Sequence, residues 1–95
     1  MPKFIIERDM PGVGAMSEHE LQHASEHSNS ALAQVGRGIQ WLESYVTDNK
    51  VFCVYIAPDE AAIKAHSRLS GFPVNAIREI KAMVDPTTAE GHLAH

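Results

Sequence analysis

From Ile39 to Ala57 the chain reads IQWLESYVTDNKVFCVYIA, two arms rich in Val, Ile, Tyr, Trp and Phe that flank Asp48-Asn49-Lys50. β-branched and aromatic residues on either side of a short polar break predict a β-hairpin, and a hairpin in mid-chain restricts what can surround it. Upstream, Ser17 is a good N-cap with Glu20 three positions on as its capping-box partner, and Gly36 and Gly38 supply a stop. Leu21, Ala24, Ser25, Ser28, Leu32 and Val35 recur at helical spacing between these limits, a modestly apolar stripe. Downstream, Pro58 at a first-turn position with Asp59 and Glu60 opens a second helix that ends near Gly71. The outer segments complete the pattern. KFIIERDM (Lys3 to Met10) reads as a strand closed by Pro11-Gly12, and Ala76 to Val84, ambiguous by composition, reads as a strand from its place in the order. The order β-α-β-β-α-β with short connections is an α+β, ferredoxin-like sandwich, a four-stranded antiparallel sheet carrying two helices on one face. Residues 1–86 are assigned to this domain and residues 87–95, which lack a periodic pattern, to a flexible tail.

Alternation along the strands divides their side chains into two sets. Phe4, Ile6, Leu42, Val46, Phe52, Val54, Ile56, Ile80, Ala82 and Val84 form an apolar layer suited to lie under the helices. Ile5, Glu7, Trp41, Glu43, Tyr45, Cys53, Tyr55 and Glu79 form a second set that is aromatic and acidic at once. That face reads either as a dimer interface, in which Trp41 and the tyrosines give amphipathic contact area, or as a polar cavity where Glu7, Glu43 and Glu79 bind a cation or move protons. A 95-residue domain leaves much of its surface exposed, and a second copy is an economical cover for such a face.

Charge and composition exclude several partners. Twelve acidic residues against eight Lys plus Arg, with no basic run, give a net charge of -4 and argue against nucleic acid. No stretch approaches the roughly 20 apolar residues of a membrane span, and the start of the chain has no apolar leader core. A single cysteine, Cys53, excludes an internal disulfide framework and suits a reducing interior, so a cytoplasmic location is expected.

Three of the six histidines, His19, His23 and His27, stand four apart in SEHELQHASEH. On a helix they lie opposite the Leu21, Ser28 and Leu32 stripe, so they face water in register. Residues four apart can present two imidazoles to one ion, which gives the pairs His19/His23 and His23/His27, with Glu20 or Glu26 able to add an oxygen. Imidazole with carboxylate suits Ni²⁺, Cu²⁺ or Zn²⁺. A solvated helix face with incidental histidines is the alternative. His92 and His95 in EGHLAH repeat the theme at the end of the chain.

His66 falls with Ala62, Ile63 and Leu69 on the apolar side of the second helix, where a satisfied core histidine is the ordinary reading and the nearby C-terminal dipole favours its charged form. Cys53 has no activating partner in sequence and reads as a buried, inert thiol. Pro2 would expose a secondary amine if Met1 were removed, as in tautomerases, but no matching motif follows and it reads as the start of a strand.

MPKFIIERDMPGVG, IQWLESYVTDNKVFCVYIAPDE, AHSRLSGFPVNAI and VDPTTAE, in that order from residue 1 to about residue 90, resemble a bacterial family of small proteins of unknown function. One described member of that family binds nickel and has a dimeric ferredoxin-like fold. The resemblance implies that fold, a homodimer and nickel as the first metal to consider. Glu7, Trp41, Tyr45, Cys53, Tyr55, His66 and Asn75 fall at its motif positions, whereas the helix histidines lie outside them. The sequence therefore supports a homodimeric, non-enzymatic divalent-metal-binding protein with His19, His23, His27 and Glu20 as candidate ligands. The competing reading is a dimeric α+β barrel enzyme or small-molecule binder that uses Glu7, Trp41, Glu43, Tyr45, Cys53, Tyr55, His66 and Glu79.

Overall fold

The computed structural model describes residues 1–36 and 38–91. Its main elements are β1 (Lys3–Asp9), α1 (Glu18–Val35), β2 (Gln40–Val46), β3 (Lys50–Ile56), α2 (Glu60–Ser70) and β4 (Ala76–Ile80). All strand pairings are antiparallel, in the order β2-β3-β1-β4, so β1 and β3 are central and the expected ferredoxin-like topology is present.

The helix boundaries follow the residues that cap them. The Ser17 hydroxyl accepts from the Glu20 backbone N–H at 3.1 Å, and the Glu20 carboxylate accepts from the Ser17 N–H at 3.1 Å, so the capping box is formed. α1 ends at Gly36, whose φ of 93° and ψ of -149° is a region only glycine enters readily. In α2 the cap is Asp59, accepting from Ala62 N–H at 2.9 Å, so Pro58 stands before the helix and not in its first turn. The chain after Ile80 departs from the expected strand: β4 stops there, and Ala82 and Val84 are exposed. From Pro86 to Glu90 it forms a short 3-10 helix, with the Asp85 carboxylate accepting from Thr87 N–H at 2.9 Å.

Residues directly opposite in an antiparallel pair point to the same face, and the register sorts the sheet accordingly. Phe4 pairs with Tyr55, Ile6 with Cys53 and Arg8 with Val51. These six are buried, and they share the covered face with Ile63 and His66 of α2. Phe52, Val54 and Ile56 thus lie on the open face with Ile5 and Glu7, the reverse of the apolar layer expected from alternation. In β2 the pairing shifts between Trp41 and Glu43. This bulge takes up Leu42, so Trp41, Ser44 and Val46 share the covered face with Tyr55, Cys53 and Val51, while Glu43 and Tyr45 turn to the open one. Leu42 is 43% exposed and packs in no core. The core proper is Phe4, Ile6, Val13, Ile39, Val51, Cys53, Tyr55, Ala57 and Ile63. Full burial of an isoleucine such as Ile6 or Ile63 contributes about 1.5–3 kcal/mol.

Candidate functional site

α1 and α2 run side by side, and their contact splits the histidine ladder. His19 and His23 stay in water, with Nε2 atoms 3.1 Å apart and rings nearly perpendicular at 88°. Glu26 lies 3.8 Å from the other nitrogen of His23. His27, one turn further on, reaches across to α2, with its Nε2 2.7 Å from the Ser70 carbonyl oxygen and its ring edge-on to Phe72. The expected trio is therefore a pair and a separate interhelical contact, because the flank of α1 that carries His27 faces α2. Glu20 is held in the capping box, and the Ser17 backbone and hydroxyl bonds lower its carboxyl pKa. Among the described residues no group of three or more His, Cys, Asp or Glu side chains converges on one point. His92 and His95 lie outside the described residues.

Beneath the helices the structure assembles a polar cluster that the sequence only partly announces. Arg8 is 1% exposed. Its Nη1 donates to Ser67 Oγ at 3.1 Å and to the Pro73 carbonyl at 2.8 Å, and its Nη2 stands 3.5 Å from the Tyr55 hydroxyl. The guanidinium also sits over the Phe72 ring, 5.8 Å from its centroid. The Tyr55 hydroxyl lies 3.2 Å from His66 Nε2, and Ser28 Oγ of α1 reaches the same nitrogen at 3.4 Å. Four elements thus meet at one buried point. Burial, the Arg8 charge and His27 push the His66 pKa down to about 4, so this imidazole is neutral at pH 7, the opposite of what a helix C-terminal dipole alone would give. Burial, then the neighbouring Cys53, raises Tyr55 against the opposing pull of Arg8.

A cavity of about 90 Å³ opens beside this cluster, between the first half of α1 and the β2–β3 hairpin. Trp41, Cys53 and Tyr55 line it together with Arg8, Ser28 and Phe72. Trp41 Nε1 donates to Ser44 Oγ at 2.9 Å, and Ser44 Oγ donates to the buried, free thiol of Cys53 at 3.0 Å. Trp41, Cys53, Tyr55 and His66 are therefore placed under the helices and not on the open face, a consequence of the β3 register and the β2 bulge. Arg8 is not among the residues that the sequence singles out, although its even position in β1 puts it in the same alternation set as Phe4 and Ile6.

The open face keeps Glu7, Glu43 and Tyr45, and here the acids are neutralised or separate. Lys50 bridges Glu7 and Asp9, at 2.8 Å each, and both bonds hold its ammonium in the charged form. Glu79 pairs in register with Phe4, so it belongs to the other face, and its carboxylate contacts Lys81 at 2.8 Å. Asn75 fastens the start of β4 to β1: its side-chain oxygen accepts from Asp9 N–H at 2.7 Å and its N–H donates to the Glu7 carbonyl at 2.9 Å.

This arrangement can be set beside known proteins. A family model described as Nickel responsive protein SCO4226-like matches residues 4–80. The chain belongs to that family. The match runs from the second residue of β1 to the last residue of β4, so this SCO4226-like domain contains the buried cluster, the cavity and the histidine pair, and leaves the Pro86–Glu90 turn outside. Among solved structures, the crystal structure of SCO4226 from Streptomyces coelicolor A3(2) superposes with a TM-score of 0.72 at 13% identity, covering 86% of this chain and 99% of that one. At that identity the likeness speaks for the fold. A comparison with curated proteins gives no match. No helix of the described residues is long and apolar enough to cross a membrane.

Proposed function

We propose that this SCO4226-like protein is a small homodimeric binder of divalent metal, with nickel as its ion and no catalytic role. The observation that carries the reading is the 3.1 Å separation of His19 and His23 Nε2. With metal–nitrogen bonds of about 2.1 Å, two nitrogens that far apart subtend about 95° at a shared ion. That is near the cis angle of square-planar and octahedral sites, which suit Ni²⁺ and Cu²⁺, and well short of the tetrahedral angle that zinc prefers. The family description, nickel responsive, agrees with this ion. Water or a second copy completes the coordination. The homodimer is favoured by the open sheet face, where Ile5, Phe52, Val54 and Ile56 lie uncovered by either helix.

Calorimetric titration of chelator-treated protein with Ni²⁺ tests the reading. Saturable binding is expected, lost in His19→Ala and His23→Ala and retained in His27→Ala. Absence of heat at tens of micromolar protein overturns it, and undiminished binding by the His19→Ala/His23→Ala double variant moves the site elsewhere. Light scattering on the same samples is expected to give twice the monomer mass.

A further inference from the structure

We propose that the cavity beneath α1 is a binding site for a small monocarboxylate with an apolar body, its acid group ion-paired to the Arg8 guanidinium. The reasoning begins with a charge that has no counterpart. Arg8 is 1% exposed, and among the described residues no carboxylate lies within ion-pair distance of it. Its partners, Ser67 Oγ, the Pro73 carbonyl and the Tyr55 hydroxyl, are neutral oxygens. A buried cation without an anion is among the costliest groups a fold can hold, and such groups are ordinarily paired.

The unused donors have a definite place. Both Nη1 hydrogens have acceptors, whereas among the described residues Nε has no partner and the only Nη2 contact is a long one of 3.5 Å. Nε and Nη2 form one edge of the guanidinium plane, the edge that takes a carboxylate through two parallel hydrogen bonds. His66 Nδ1 is the other buried side-chain nitrogen left without a partner among the described residues, and it belongs to the same cluster through Tyr55. Buried polar atoms in native proteins are nearly always satisfied, so the orphaned Nε of Arg8, a residue that lines the cavity, is a donor that awaits an acceptor.

The cavity next to Arg8 specifies the rest of the ligand. Apart from Arg8, Tyr55 and three serines, its walls are apolar, with Met10, Val13, Leu21, Trp41 and Val51 prominent. Its volume of about 90 Å³ is below the roughly 150 Å³ that accommodates benzene, which limits the body to about four carbons. The lining residues nearest the surface, Met16, Leu21 and Val46, are half-buried or exposed and give a route in. No acidic residue lines the cavity to repel an anion. The inference is independent of the histidine pair and of any metal.

The test uses the chelator-treated protein and three four-carbon probes of different charge: butyrate, butyramide and butylamine. Amide resonances are followed in ¹H–¹⁵N spectra to tens of millimolar ligand. Saturable shifts with butyrate are expected at Arg8, Ser28, Cys53 and Tyr55, with butyramide at least tenfold weaker and butylamine inert. Arg8→Met is expected to abolish the preference for the anion. If that variant does not fold, Ala24→Phe, which fills the cavity and leaves Arg8 in place, is expected to lose butyrate while keeping the native spectrum elsewhere. Equal binding of butyrate and butyramide, shifts confined to surface lysines, or no saturable shift in the native protein overturns the proposal.

Discussion

His66 makes stability depend on pH in a way that can be isolated. The imidazole is fully buried, at 0% exposure, and the titratable groups that face it are the Arg8 guanidinium from β1, the Tyr55 hydroxyl from β3 and the His27 ring from α1. Its pKa falls from 6.5 to about 4 on folding. Between those limits the unfolded chain binds a proton at His66 that the native protein refuses, so each added proton favours unfolding. The contribution is complete above pH 6.5 and is lost as the pH falls toward 4. A gap of about 2.5 pH units at about 1.4 kcal/mol each sets an upper bound of about 3.5 kcal/mol. The assay is urea unfolding of the native protein and of His66→Gln at several values from pH 7.5 to 4.5. Every other titrating group is common to both, so subtracting the curves isolates His66, whatever constant offset the substitution brings. The native protein is expected to lose about 2 kcal/mol more than the variant across that range. Parallel curves would refute the reasoning, as would an imidazole resonance of His66 that titrates above pH 6.

Three further substitutions probe the surrounding structure. Tyr55→Phe removes the hydroxyl that meets both His66 and Arg8, and is expected to cost about 1–3 kcal/mol, a loss of roughly 5–20 °C in Tm for a domain of this size, read by thermal circular dichroism. Gly14→Ala would place a Cβ 2.7 Å from Asp48 Cα and from the Thr47 carbonyl oxygen, both backbone atoms, so the short 3-10 turn Val13–Ala15 that follows β1 must part from the hairpin end; a destabilisation of about 2 kcal/mol and faster amide exchange at Gly14, whose N–H is bonded to the Asp48 carbonyl, are expected. Ser17→Ala breaks the capping box and is expected to cost about 1 kcal/mol in denaturant unfolding, with no change in the register of the sheet.

The elements were legible in the sequence because their signals are local. Ser17 with Glu20, Gly71, and the polar break before Lys50 each act within a few residues and appear where the residues place them, and the start of α2 is displaced only from Pro58 to the Asp59 cap. Which face of a strand is buried is not a local property. In β3 both alternating sets are largely apolar, Val51-Cys53-Tyr55 and Phe52-Val54-Ile56, so hydrophobicity alone favours the second, while pairing with Phe4 and Ile6 buries the first. In β2 a single bulged residue reverses the parity between Trp41 and Glu43, and no residue type there announces it.

The candidate site inherits these two effects. Once β3 is turned over, Cys53 and Tyr55 move beneath the helices, Trp41 follows through the bulge, and Glu7 and Glu43 remain on the far side, so a set that looked like one polar face becomes two environments. Arg8 completes the buried one. An arginine ending the run Phe4, Ile6, Arg8 at period two has either a strand end in water or an enclosed role, and sequence alone does not choose. Here α2 and Phe72 enclose it, since Ser67 and Pro73 stand within hydrogen-bond reach of its guanidinium. The same contact between helices draws His27 out of the histidine ladder toward Ser70, next to the residues that hold Arg8. One packing event, α2 laid against α1 over the β1 strand, therefore both reduces the outer histidines to a pair and closes the inner cation away from water.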